Sequence, residues 1–279
     1  MKRLVSRFLV RIILIALLFP VLLHAQKISR DLKIAGHRGG YYFDYPESSL
    51  SLLNYLSKQF KKDTIIAEID LRKSKNGTIY IMHDETVDRT TTGTGKIDQL
   101  DDNYLEGLFL KNENGEITKK HIPTFEDVLK FISKKNINLM LDIKTPIHAE
   151  AYELVKAHKM ESRMLTLTFN MELTRKVATL SNRLSLSALM ESENEWQMFK
   201  DISMPAGKKI AYVNAKTPVS LIQEMKKNNV KIMADVSEAL RNSGKPLGDE
   251  GYQKKVKDQT LDILITDFPI EARKAFLKK

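Results

Sequence analysis

Glu68 and Asp70 stand two residues apart inside the otherwise apolar run Thr64–Leu71. On a strand that spacing sets both carboxylates on one face. Asp142 sits near the end of a second such run, Ile137–Ile143, and three carboxylates in one place repel one another unless a cation offsets them. Taken singly, each acid could equally be half of a surface salt bridge. Oxygen donors in a chain without cysteine suit one divalent cation, Ca²⁺ or Mg²⁺, better than zinc. His37 lies in Ala35-Gly36-His37-Arg38-Gly39-Gly40, where glycine lets backbone approach a ligand closely. Two imidazoles at one mouth, His37 and His83, can divide general-base and general-acid work near neutral pH, although His83 could also cap a helix or ligate a metal. Arg38 and Lys144 would supply charge for a phosphate, the arginine as a bidentate fork.

The elements that must gather these residues follow from hydrophobic periodicity. Short β-type runs alternate with amphipathic stretches after residue 30, the pattern of a parallel sheet covered by helices. Eight strands are expected: Lys33–Gly36, Thr64–Leu71, Ile137–Ile143, Met164–Thr168, Leu184–Leu189, Ile210–Asn214, Lys231–Val236 and Asp262–Thr266. Helix starts are readable at Thr124 with Asp127, at Asn170, and at Thr217-Pro218. Closed into a (β/α)₈ barrel, the strands would bring His37, Arg38, Glu68, Asp70, Asp142, Lys144, Asp235 and Asp267 to the C-terminal rim, where barrel enzymes keep their sites.

A ninth run, Thr78–His83, follows too soon for a parallel crossover and must return antiparallel. Asn76-Gly77 reads as a two-residue hairpin turn. That register sets Asp70 opposite His83. Residues 85–123 are polar and too long for an ordinary barrel loop, so they form a small insertion over the mouth. Arg241–Asp249 is a second loop in the same region. His121, His148 and His158 are expected at the surface.

Lys2, Arg3, Arg7 and Arg11 precede the apolar run Ile12–Leu23, the layout of a signal peptide. The run is shorter than the roughly 20 residues a membrane-spanning helix needs. Cleavage is expected near Ala25, giving an exported chain, periplasmic or secreted, whose residues 26–279 form one barrel domain. Setting those four cations aside lowers the formal charge from +10 to +6, which suits an anionic small molecule or a transient membrane-surface contact. No basic helix interleaved with aromatics points to nucleic acid. The absence of cysteine excludes disulfides and thiol catalysis, and neither a glycine-rich nucleotide loop nor a Gly-x-Ser-x-Gly elbow is present.

From Ile34 to Pro269 the motifs resemble the glycerophosphodiester phosphodiesterase family. They are His37-Arg38-Gly39, Pro46-Glu47-Ser48-Ser49, Glu68-Ile69-Asp70, Asn76-Gly77, His83-Asp84, Arg89-Thr90-Thr91, Ile122-Pro123-Thr124 and Thr266-Asp267-Phe268-Pro269. The resemblance implies a TIM barrel with metal held by Glu68, Asp70 and Asp142, His37 and His83 as the acid–base pair, and Arg38 and Lys144 on the phosphate. Glu47, Asp235 and Asp267 would support these groups from behind. It also implies attack of a glycerol hydroxyl on phosphorus, opening of the cyclic phosphate by water, and release of glycerol 3-phosphate and an alcohol. The chain departs from the pattern at Asp142, where glutamate is usual, at Met233-Ala234-Asp235, where a tryptophan is usual, and at Ser48-Ser49, which stands for Asn-Thr. Two other readings compete. Tyr41, Tyr42, Phe43 and Tyr45 could form the approach surface of a phospholipase-like diesterase, or simply a hydrophobic lid; a non-catalytic phosphate- or glycan-binding barrel would have no need of paired imidazoles.

Overall fold

A computed structural model describes residues 32–61, 63–238 and 243–277. The expected leader, residues 1–25, lies outside the described residues, as do positions 241 and 242 of the second loop. Strand β1 spans Lys33–Gly36 and β2 Ile65–Lys73, and β3 (Ile79–Ile81) turns back on β2. Strands β4 (Phe109–Lys111) and β5 (Ile117–His121) form a separate ribbon. Then follow β6 (Ile137–Ile143), β7 (Met164–Thr168), β8 (Ser185–Leu189), β9 (Lys209–Tyr212), β10 (Lys231–Asp235) and β11 (Ile263–Thr266). The parallel order β1-β2-β6-β7-β8-β9-β10-β11 returns to β1, closing an eight-stranded barrel. All eight expected strands are present, with ends displaced by one or two residues.

The helices in chain order are α1 (Leu50–Gln59), α2 (Asp102–Gly107), α3 (Phe125–Ile132), α4 (His148–Ala157), α5 (Met171–Ala178), α6 (Glu193–Lys200), α7 (Val219–Lys227), α8 (Gly248–Gln259) and α9 (Pro269–Leu277). Local chemistry fixes their starts. Thr124 and Asp127 form a reciprocal capping box and Asn170 caps α5, as expected. Thr217 does something else: its hydroxyl donates to the Met190 carbonyl and accepts from the Asn214 N–H, tying two loops together, while Pro218 occupies the cap without a side-chain bond.

Strand periodicity divides the core in two. Along β2, Ile65, Ala67, Ile69 and Leu71 face the helices, in one continuous apolar layer with Leu139, Leu141 and Leu186. Ile66 faces the barrel axis with Ala35, Met140, Leu165, Ile210, Met233 and Ile263. The same inward face of β2 continues through Glu68 and Asp70 to the C-terminal rim. A parallel barrel buried on both faces tolerates polar side chains only where that inner packing ends.

The hairpin after β2 corrects the expected register. Pairing runs Leu71↔Ile81, Arg72↔Tyr80 and Lys73↔Ile79, so Asp70 faces Met82 and not His83. The turn has three residues because Ser74 pairs with Thr78 through its backbone and also accepts from the Thr78 N–H with its hydroxyl. Gly77 alone has positive φ, at 97°, where a type I′ turn needs it at both central residues. The Asn76 side chain accepts from the Asp102 N–H instead. A one-residue slip moves His83 just beyond the facing position, where its charge still reaches the Asp70 carboxyl.

Residues 85–123 are more ordered than their polarity implies. Val87, Ile97, Leu105, Leu108, Leu110 and Ile122 pack with Tyr80 and Met82 of the hairpin into a small core of their own. Bridges Thr86↔Lys96 and Thr91↔Leu110 hold the insertion together.

Gly36 marks the tightest point of the passage from β1 into the site. A Cβ there would lie 2.9 Å from the Gly39 carbonyl oxygen and 3.0 Å from its carbon, backbone atoms that have no room to yield. Gly36→Ala should cost about 1–3 kcal/mol, read from urea unfolding. Gly107→Ala, with nothing within 4 Å of its Cβ, should stay within about 0.5 kcal/mol of wild type; equal behaviour of the two variants would contradict this packing.

Candidate active site

Strands β2 and β6 pair in register with Asp70 beside Asp142, so two inward carboxylates become neighbours. With Glu68 they offer oxygens all within 4.8 Å of one another. Glu68 and Asp70 are only 3% and 1% exposed. Burial, followed by the Asp70 charge, pushes the Glu68 carboxyl up to about 8. Burial raises Asp70 too, against the pull of Lys144 and His83. Asp70 Oδ2 is buried with no hydrogen-bond partner.

Lys144 Nζ lies 2.6 Å from Asp142 Oδ2 and 3.0 Å from Asp70 Oδ1. Burial alone would lower its pKa, but the two acids raise it. One ammonium cannot balance three carboxylates. The remaining charge, the orphan Asp70 oxygen and the all-oxygen donor set fit a hard divalent cation, and the shorter Asp142 is among the three groups that could hold it.

Each histidine is aimed by an aspartate. His37 Nδ1 lies 2.8 Å from Asp267 Oδ1 and His83 Nδ1 lies 2.7 Å from Asp84 Oδ1. With Nδ1 engaged, Nε2 is the ring nitrogen left for a ligand in both cases. Burial disfavours the His37 cation, but the Asp267 hydrogen bond and the charges of Glu68 and Asp235 outweigh it, and the pKa rises to about 9. Asp235 also accepts from the Ser237 N–H at 2.8 Å. Met233 packs inside the barrel and Ala234 in the outer layer, so Asp235 is the β10 residue on the inward face at the rim.

Arg38 adopts φ 49°, a left-handed conformation that turns its backbone N–H onto Glu68 Oε2 at 2.6 Å. Its guanidinium reaches Glu47 at 3.3 Å, and its Nε is buried without a partner. Thus the expected phosphate ligands are both partly engaged by acids: Arg38 by Glu47, Lys144 by the carboxylate cluster.

Three residues with no expected role complete the site. Arg89 grips Glu47 at 2.8 and 2.9 Å and Asp84 at 2.6 and 3.0 Å, linking the support of Arg38 to that of His83. The Asp84 carboxyl is held well below its usual range, first by Arg89. Glu238, fully buried, accepts from Tyr252 and Thr266 at 2.6 Å and from the Asp267 N–H at 2.9 Å, fixing the loop that aims His37. Glu113, at the tip of the β4–β5 ribbon, lies within electrostatic reach of Glu47, Arg89, Arg38 and Asp267. It makes no hydrogen bond or ion pair with the described residues.

The aromatic group divides. Tyr42 donates to Glu271 at 3.1 Å and packs edge-on against Tyr55, while Tyr45 stacks on Tyr55 at 4.7 Å. These two serve as packing. Tyr41 and Phe43 meet edge to face at 5.4 Å, with Phe43 53% exposed. Among the other histidines His121 is exposed, whereas His148 and His158 are half-buried. His148 Nε2 is buried without a partner, and burial lowers its pKa. These two are thus only partly at the surface, the His158 ring meeting Glu126 of α3 at 3.4 Å.

Burial, then the Glu47 charge, push the Glu113 carboxyl up to about 7, against Arg89 and Arg38. Its ionised form therefore weakens the fold. That cost is absent below the ordinary value of 4.5 and grows as pH rises through about 7. Glu113→Gln should match wild type near pH 4 and be more stable by on the order of 1–3 kcal/mol above about pH 8, measured by denaturant unfolding across pH. A pH-independent difference would show that the carboxyl is not buried as described.

Residues 37–271 match the Glycerophosphoryl diester phosphodiesterase family. A glycerophosphodiester phosphodiesterase of Bacillus subtilis is 28% identical over 186 residues, which cover 59% of this chain and 61% of that protein. One from Caldanaerobacter subterraneus subsp. tengcongensis is 28% identical over 131 residues, 44% of this chain and 54% of its own. The matched stretches thus span little more than half the length of these relatives. The crystal structure of a glycerophosphoryl diester phosphodiesterase from Parabacteroides distasonis superposes with TM-score 0.74 at 25% identity, covering 88% of this chain and 85% of that one. An Oleispira antarctica phosphodiesterase, solved with the product sn-glycerol-3-phosphate, superposes at 0.69 with 22% identity over 88% of this chain and 97% of its own. With a family match that runs from His37 to Glu271 and takes in every side chain of the rim cluster, this chain belongs to the glycerophosphoryl diester phosphodiesterase family.

Proposed function

We propose that the protein hydrolyses glycerophosphodiesters to glycerol 3-phosphate and an alcohol, with a divalent cation at Glu68, Asp70 and Asp142. The observation that carries this reading is the pair of aspartate-aimed imidazoles, His37 and His83, flanking one buried tricarboxylate cluster. A bound cation supplies Lewis-acid charge to a phosphoryl oxygen and offsets the three acids. Arg38 offers its remaining donors to the phosphate, and Lys144 turns from the carboxylates to the same group once the cation shares their charge. One imidazole Nε2 removes the proton from the attacking glycerol hydroxyl while the other protonates the departing alcohol. Water then opens the cyclic phosphate with the roles exchanged.

Asp267 and Asp84 keep each ring in a fixed tautomer and orientation, and stabilise the imidazolium as it forms. Residues 26–279 act as one exported barrel domain after removal of the leader, which accounts for the charged-then-apolar start of the chain. A second reading, cleavage of membrane-bound diesters, draws on the exposed Phe43 beside Tyr41. Comparable turnover of vesicle-bound and soluble diesters would favour it; turnover of soluble diesters alone would remove it.

His37→Ala and His83→Ala should each reduce kcat by about 10²–10⁴-fold with unchanged unfolding midpoints, measured as glycerol 3-phosphate release. Full activity in both would end the acid–base assignment. Chelation should abolish turnover, and readdition of Ca²⁺ or Mg²⁺ should restore it; undiminished activity in excess chelator would separate the carboxylates from the reaction.

A further inference from the structure

The inward-facing residues that end in acids at one rim end differently at the other. Counting back from the packed interior at Ala35, Ile66, Met140, Leu165 and Met233, the next inward positions are Lys33, Thr64, Asn138, Arg163 and Lys231. With Ser185 they line a cavity of about 220 Å³ at the floor of the barrel. Among the described residues no aspartate or glutamate lines it.

Three cations thus share one cavity without an acid. Lys33 and Lys231 have no ion-pair partner among the described residues. Arg163 donates from Nη1 to the Ile132 carbonyl at 3.0 Å, from Nη2 to the Lys135 carbonyl at 2.7 Å, and from Nε to Asn138 Oδ1 at 3.5 Å. Burial lowers its pKa with no carboxylate in opposition. Carbonyl dipoles orient a guanidinium but leave its full charge in place, and with the exposed Lys33 and Lys231 at its opening the cavity is electropositive. The Ser185 and Thr64 hydroxyls and the Asn138 amide add donors of the kind that complete an oxyanion's shell.

We propose that this floor cavity binds a tetrahedral oxyanion, either inorganic phosphate or a phosphate monoester. The apolar interior layer separates it from the carboxylate rim, so an anion here stabilises the barrel without competing at the mouth. The assignment is independent of the proposed reaction.

The test uses the full metal-loaded chain at fixed ionic strength, adding millimolar inorganic phosphate or glycerol 3-phosphate in separate arms against matched chloride. Both should raise the melting temperature of wild type by roughly 3 °C or more. The rise should persist in Arg38→Ala/Lys144→Ala, which removes both cationic phosphate ligands proposed at the mouth, and vanish when Lys33→Gln/Lys231→Gln or Lys231→Glu is added to that background, with kcat and KM for a soluble diester unchanged when either floor change is made alone. A rise from only one anion would name the source. An equal rise after the floor changes, its loss in Arg38→Ala/Lys144→Ala alone, or no rise in wild type would overturn the assignment.

Discussion

Three carboxylates on neighbouring strands, Glu68 and Asp70 buried and Asp142 half-buried, are the constraint around which the rim is arranged. The parallel pairing of β2 with β6 sets Asp70 beside Asp142, and strand periodicity adds Glu68 one step below on the same face. In water such a cluster would cost little; inside a barrel each ionised group loses its hydration and meets like charge at close range. Everything near them answers that problem. Lys144 bridges two of the acids, the Arg38 backbone N–H is turned onto the third by a left-handed residue, and His37 stands within reach of Glu68. A cation at this point completes an arrangement that the side chains present leave short of positive charge.

The barrel was legible because its signal is repetitive: eight β-type runs, each long enough to show its period, separated by helical stretches with readable caps. Parity then placed Glu68, Asp70 and Asp142 at one rim without any tertiary information. The hairpin shows where such reasoning stops. Asn76-Gly77 announces a turn, but the loop length depended on the Ser74 hydroxyl, which captures the Thr78 N–H and moves the register by one. The insertion looks merely polar in sequence because Val87, Ile97, Leu105 and Leu110 follow no single period; their common core exists only once Tyr80 and Met82 are laid beside them.

The supporting residues were illegible for a different reason. Arg89 lies 42 positions from Glu47, and Glu238 lies 29 from Asp267. No local spacing reports such pairs, and a lone arginine or glutamate reads as surface charge until its partners are known. Yet these are the residues that hold the imidazoles in line. Arg89 holds the Asp84 carboxylate directly, and Glu238 fixes the backbone of Asp267 by accepting from its N–H; an imidazole whose Nδ1 partner moves no longer presents Nε2 at one place. Precision at the site therefore rests on contacts distant in sequence, although the chemistry rests on motifs that are local.

Protonation joins the acid cluster to its cation. With burial and Asp70 pushing the Glu68 carboxyl up to about 8, a proton held there at neutral pH relieves the full repulsion of three charges. A divalent ion at this point would require that oxygen ionised, so its binding would release the proton. The Asp84–Arg89–Glu47 chain carries two carboxylates and one guanidinium, and its charge is matched only with Arg38, which reaches Glu47 from the other side. His83 is anchored to this chain, whereas His37 is anchored through Asp267 on the side of the barrel nearest Glu68. Both imidazoles stand within electrostatic reach of the acid cluster, His37 of Glu68 and His83 of Asp70, so a cation held there would act on both, while the aspartates that aim them lie outside the cluster.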